Sequence, residues 1–109
     1  MRLPCLLNDY HDAQLERVAI GPRRELTLFL HLDPVFNPSI LEYAVVRFGS
    51  IDNFAEVERF FSALQCDPAR DFITGVCRLE PVQPGRWVVD LDGYEAIVIR
   101  TTRCTEQKR

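Results

Sequence analysis

The sequence predicts an α+β domain: a largely antiparallel sheet of about six strands, in the order β-β-β-α-β-β-β, with one helix packed on one face. Three stretches carry that prediction. In "ELTLFLHLD" Leu26, Leu28, Leu30 and Leu32 alternate with Thr27, Phe29 and His31, the period of two that separates the faces of a sheet. In "SIDNFAEVERFFSALQ" Phe54, Val57, Phe61 and Leu64 recur at helical spacing, and no other stretch does so as clearly. In "GRWVVDLDGYEAIVIRTT" an Asp-Gly pair separates two β-rich runs, the strongest short signal for a hairpin.

Taken in order, the chain opens with a strand over about Leu15 to Ile20, paired to the leucine strand through the Gly-Pro turn of "AIGPRRE". Its apolar residues change phase, with Ala13 and Leu15 on one side and Val18 and Ile20 on the other. A bulge near Glu16-Arg17, or a short helical turn before the strand, reconciles them. After the loop "DPVFNPS", "LEYAVVRFG" reads as a third strand, with Ala44, Val46 and Phe48 facing one way and Tyr43 and Val45 the other.

The helix is expected from near Asp52 to Gln65, widened by Phe60 and packed on the leucine face of residues 26 to 32. Ser50, Asp52 or Asn53 can cap it, Asn53 and Glu56 have the spacing of a capping box, and Pro68 lies past its end. "DFITGVCRLEPV" follows as a strand in which Cys77 alternates with Ile73 and Leu79 and so points inward. In the final hairpin a type I′ turn at Asp92-Gly93 sets Leu91 opposite Tyr94, Val89 opposite Ala96 and Trp87 opposite Val98.

A chain of 109 residues with 47% hydrophobic and 27% charged residues can build a core without metals or disulfides. With no internal repeat or linker-like tract, residues 1–109 read as one domain with loosely ordered ends, 1–9 and 105–109. A net charge of -3 and a pI near 5.3 argue against a general phosphate-backbone binder. Arg23-Arg24 is too little to reverse that, and Arg100, Arg103, Lys108 and Arg109 read as a solvated basic tail, so no nucleic-acid partner is expected. Cys5, Cys66, Cys77 and Cys104 form no C-x-x-C pair and no finger-like grouping with His11 or His31, which points to reduced thiols in the cytoplasm. The apolar run in "MRLPCLL" is too short for a signal peptide and no stretch is long enough to span a bilayer, so no membrane partner is expected.

The chemistry-bearing residues are few. A hairpin turning at residues 21 to 24 places residues 12 to 14 near 31 to 33, so His11, Asp12, His31 and Asp33 form a conceivable metal or proton-transfer cluster. A metal-dependent hydrolase needs more ligands than two histidines and these carboxylates supply, and a His-Asp staple across a hairpin is the more ordinary arrangement. Neither Cys77, expected in the core, nor Cys66, beside Asp67, is set up as a nucleophile, and Asp90 and Asp92 read as solvated charges before a turn. No Gly-rich phosphate loop, nucleophile elbow or aromatic-basic RNA motif is present. No catalytic residue, metal or cofactor is therefore assigned, and the runner-up reading is a small hydrolase or metal-binding protein using His11, Asp12 and His31.

The string "HDAQLERVAI", followed by "ELTLFLHL" and "YAVVRFGSIDNFAEVERFF", resembles a group of small bacterial β-rich single-domain proteins that includes immunity-like families. The resemblance covers residues 10 to 65 and rests on pattern. It implies a non-enzymatic binding role of immunity or adaptor type, with His11 and Asp12 matching the opening pair and helping to fix the first strand. The alternation supplies a surface for such a role: opposite the leucine side lie Phe29, His31, Tyr43, Val45, Arg47, Phe72 and Val76, with Val88, Thr27, Thr74 and Arg78 nearby. So apolar a face calls for cover by sheet curvature, a second copy or a partner protein, and a homodimer or heterologous partner is the expectation.

Overall fold

The computed structural model describes residues 9–37, 42–64, 69 and 72–108. Within them lie strands β1 (Gln14–Gly21), β2 (Glu25–His31) and β3 (Tyr43–Gly49), the helix α1 (Phe54–Ser62), and strands β4 (Thr74–Gln83), β5 (Arg86–Leu91), β6 (Ile97–Arg100) and β7 (Arg103–Lys108). The seven strands form one sheet in the order β6-β5-β4-β1-β2-β3-β7, every neighbouring pair antiparallel. The α+β class holds, with seven strands in place of the expected number, about six. Among the described residues no helix is long and apolar enough to cross a membrane.

The additional strand is β7, in the stretch expected to be a loose basic end. Ala44 to Gly49 pair with Lys108 back to Arg103. A polar sequence makes a strand here because β3 offers it a row of backbone partners and Cys104 packs against the core. The bulge expected in β1 is present: Leu15 pairs with Leu30 and Arg17 with Phe29, leaving Glu16 as the extra residue. Leu15 and Val18 thereby both join the leucine side.

Although β6 and β7 are opposite edges of the sheet, only Thr101 and Thr102 separate them along the chain. The sheet must curl until its edges come together there. Trp87 of β5 accordingly meets Phe48 of β3 edge to face across the interior, ring centroids 5.6 Å apart, with β4, β1 and β2 lying between them in the sheet. Buried Thr101 ties the closure. Its hydroxyl donates to the Gly49 carbonyl and accepts from the Arg103 N–H, while its own N–H donates to the Gly85 carbonyl.

Val57 and Phe61 of α1 are buried in the same cluster as the leucines, with Phe54, Phe60 and Leu64 packed against it. The strand the helix lies along is β6 rather than the leucine strand β2. It is shorter than expected, ending at Ser62 with Ala63 as its C-cap; Gln65, Cys66 and Pro68 lie outside the described residues, as do Cys5 and Arg109. Asn53 holds the N-cap position without a side-chain capping bond, so the capping box with Glu56 does not form. Its amide serves the sheet instead: Nδ2 donates to the Val98 carbonyl at 2.7 Å and Oδ1 accepts from the Arg100 N–H at 2.9 Å. The unpaired backbone groups of an edge strand compete with those of a helix end for one amide, and here the edge wins.

Two registers differ from expectation. In the last hairpin Trp87 faces Ile99, Val88 faces Val98 and Val89 faces Ile97. The Asp92–Ala96 connection is thus longer than a two-residue type I′ turn, and only Gly93, at φ 86°, has positive φ within it. The one-residue difference decides which face is buried: this register puts Ile97 and Ile99 in the core with Trp87 and Val89, and leaves Val98 outside. In β4 a bulge between Val76 and Arg78 turns Cys77 outward, contrary to its expected core position, and lets Val76 and Leu79 both face in.

Candidate functional site

Away from the leucine side, the register of β1, β2, β3 and β7 sets out a grid of side chains in ranks. One rank runs Ala19, Thr27, Arg47, Thr105; the next Arg17, Phe29, Val45, Gln107; a third Gln14, His31, Tyr43. At the turn end Gly21 pairs with Glu25, and Gly49 with Arg103. Phe29, His31, Tyr43, Val45 and Arg47 of the expected binding face are brought together here. The other two are not. Val76 is only 3% exposed and belongs to the core, because the β4 bulge reverses its side. Phe72 precedes β4 and lines clefts near the β1–β4 junction, and Val88 sits opposite Val98 in the far half of the sheet.

The grid has its own internal contacts. The Arg17 guanidinium lies over the Phe29 ring, 4.0 Å from its centroid, an arrangement that shields the ring and keeps the charge at the surface. His31 stacks on Tyr43 with centroids 4.8 Å apart, and its Nδ1 is 3.3 Å from Gln14 Oε1. Arg47 Nε donates to Thr27 Oγ1 at 3.4 Å. Val45 and Thr27 are each 8% exposed, so the middle of the face is nearly closed by its neighbours, while Arg17, Ala19, Arg47, Arg103, Thr105 and Gln107 stand exposed around them.

At the His31 end the surface turns acidic. A shallow cleft of about 140 Å³ is lined by Asp12, Gln14, His31 and Asp33 among others, and a larger one of about 500 Å³ brings Asp12, Asp33 and Asp92 together with Phe72, Gly75 and Cys77. The β1–β2 pairing therefore does bring Asp12, His31 and Asp33 to one place, Gln14 facing His31 directly. His11 lines neither cleft. Among the described residues no three His, Cys, Asp or Glu side chains are arranged to hold a metal ion.

His11 is instead a staple. Its Nδ1 is 3.1 Å from the Cys77 carbonyl, its ring meets Phe36 edge-on at 4.8 Å, and its Nε2 is 3.8 Å from Asp12 Oδ2. The Cys77 carbonyl, then the Asp12 carboxylate, raise its pKa above the ordinary 6.5. Asp12 holds a left-handed backbone, φ 61°, and its N–H donates to the Val76 carbonyl, so the His-Asp pair closes the start of β1 onto β4. The described cysteines are poor nucleophiles. Burial, and then Glu106, push the Cys104 thiol up to about 12. Shielding of the sulfur, with Asp90, Asp92 and Asp12 nearby, also raises Cys77.

No family model, curated protein or solved structure matches this chain. Arg17 and Arg103 are among the members of the face that the expected surface left out. Arg17 reaches it because the bulge at Glu16 shifts the phase of β1, a shift visible in the apolar pattern but not carried through to the polar residues. Arg103 reaches it on a strand with no apolar alternation to announce it.

Proposed function

We propose that the protein is a non-enzymatic binding module of immunity or adaptor type, working through the face of β1, β2, β3 and β7. The observation that carries this reading is the make-up of that face. Half-buried aromatic side chains, Phe29, His31 and Tyr43, lie level with nearly closed Val45 and Thr27, inside a border of exposed polar and cationic side chains on β1, β3 and β7. A surface with an apolar middle and a polar border is the anatomy of a protein–protein interface. The cleft at Asp12, His31 and Asp33 supports the hydrolase reading less well, since His11 is engaged with Cys77 and Phe36 outside it.

A photo-crosslinking amino acid at position 105, on the face, and at position 82, on exposed β4 away from it, tests the role in living cells. The expected result is one discrete crosslinked species from position 105 that disappears with Arg47→Glu, and none from position 82. Equal crosslinking from both positions, or none from either, overturns the proposal.

A further inference from the structure

We infer that the occupant of this face is an acidic protein surface rather than a second copy of the chain. The inference rests on the binding role proposed above and specifies the chemistry of the partner. The whole chain carries a net charge of -3, yet Arg17, Arg47 and Arg103 stand exposed on β1, β3 and β7 of one face, with Glu25 the acid in the same ranks and Glu16, the extra residue of the β1 bulge, beside Arg17. Asp12 and Asp33 lie past its His31 end, around the cleft. Among the described residues the ion pairs are His11 with Asp12 and Arg78 with Glu80, so none of the three face arginines is paired.

Two copies apposed through this face would enclose six guanidiniums against four carboxylates, as each copy brings three arginines with Glu16 and Glu25, so cationic charge would be left in excess. Charge enclosed without a partner is strongly unfavourable. Carboxylates on another protein reverse the sign of that term, because each guanidinium presents a fork of donors matched to a carboxylate. Single-stranded nucleic acid also brings negative charge, but it binds by stacking bases on open aromatic faces. Here Arg17 covers the Phe29 ring and His31 and Tyr43 stack on one another.

The probe is a fluorescent glutamate–tyrosine copolymer, titrated with the full chain by anisotropy at low and physiological ionic strength. Wild type should bind it, and Arg17→Gln, Arg47→Gln and Arg103→Gln together should weaken binding about tenfold. The same charge change placed off the face, at Arg23, Arg86 and Arg100, should leave affinity within about twofold. If the triple face variant is unfolded by circular dichroism, Arg47→Gln with Arg103→Gln is read in its place, since it keeps the Arg17–Phe29 contact; its expected loss is about fivefold. Equal loss from the control triple, absence of copolymer binding, or tighter binding of oligothymidylate than of the copolymer overturns the inference. So does a dimer in sedimentation whose position-105 crosslink joins two copies; that result would leave the binding role standing, whereas loss of every position-105 crosslink removes the role itself.

Discussion

His11 shows what a single residue does when its neighbours are fixed by backbone geometry. The Cys77 carbonyl accepts a proton-bearing ring nitrogen and Asp12 favours the imidazolium, so folding raises the pKa above 6.5. A group raised on folding contributes stability that is fully present below its unfolded pKa and is lost as pH rises through the folded value. The staple between residues 10–12 and β4 therefore loosens as the pH is taken upward past the folded pKa of His11. Proton NMR should place its midpoint above 6.5, and Asp12→Asn should lower it without abolishing the elevation, because the carbonyl is the larger cause. A midpoint at or below 6.5 in the wild type would contradict the staple. The cysteines give a second residue-scale test. With native protein and iodoacetamide at about pH 8, peptide mapping should find Cys77 labelled well ahead of Cys104, whose thiol is held near 12 and half-shielded by the core. The adjacency of His11 and Asp12 is plain in the sequence. The left-handed turn at Asp12 that aims the ring at β4 is not, because nothing about an aspartate requires positive φ.

At the scale of elements, the leucine strand, the β1 bulge and the single helix were legible because each leaves a periodic trace in apolar residues. Elements decided by polar competition were not. Asn53 and Glu56 have the spacing of a capping box, yet the amide goes to the edge of β6, where it satisfies one donor and one acceptor at once. Asn53→Ala should therefore destabilise the fold by about 1–2 kcal/mol in urea titrations, the value of two ordinary hydrogen bonds at a half-exposed site. Asn53→Asp is the sharper experiment. An aspartate is as good a helix cap as an asparagine, but beside β6 it can still accept from Arg100 while setting a carboxylate oxygen against the Val98 carbonyl. If the side chain served the helix, Asp would be neutral; serving the edge, it should cost at least as much as Ala. The register of the last hairpin was hidden for a related reason, since Asp-Gly marks a turn without fixing how many residues follow before pairing resumes.

At the scale of the whole molecule, periodicity separates the two faces of each strand but is silent on strand order, and strand order closes this fold. Without strand order, the apolar side called for cover by sheet curvature, a second copy or a partner protein, with a second copy or partner the expectation. Curling brings β5 over β3, and the β4 bulge turns Val76 into the core, so that a smaller face, richer in arginine, remains. The curl depends on β7, whose sequence "RCTEQK" gave no sign of it. That dependence can be tested by ending the chain after Thr102. A loose basic tail would be lost with no change in stability. As a strand, β7 contributes six pairings to β3, the approach of Cys104 to the core and a carboxylate, Glu106, that accepts from the Tyr10 hydroxyl. Its removal also takes away the Arg103 N–H that Thr101 accepts where the sheet edges meet, and bares the edge of β3, which carries buried Ala44, Val46 and Phe48. The truncated chain should lose a large part of the roughly 5–15 kcal/mol typical of a domain and aggregate through the exposed edge. A urea midpoint equal to that of the full chain, with the truncated protein still monomeric in sedimentation, would show that the sheet closes without its seventh strand.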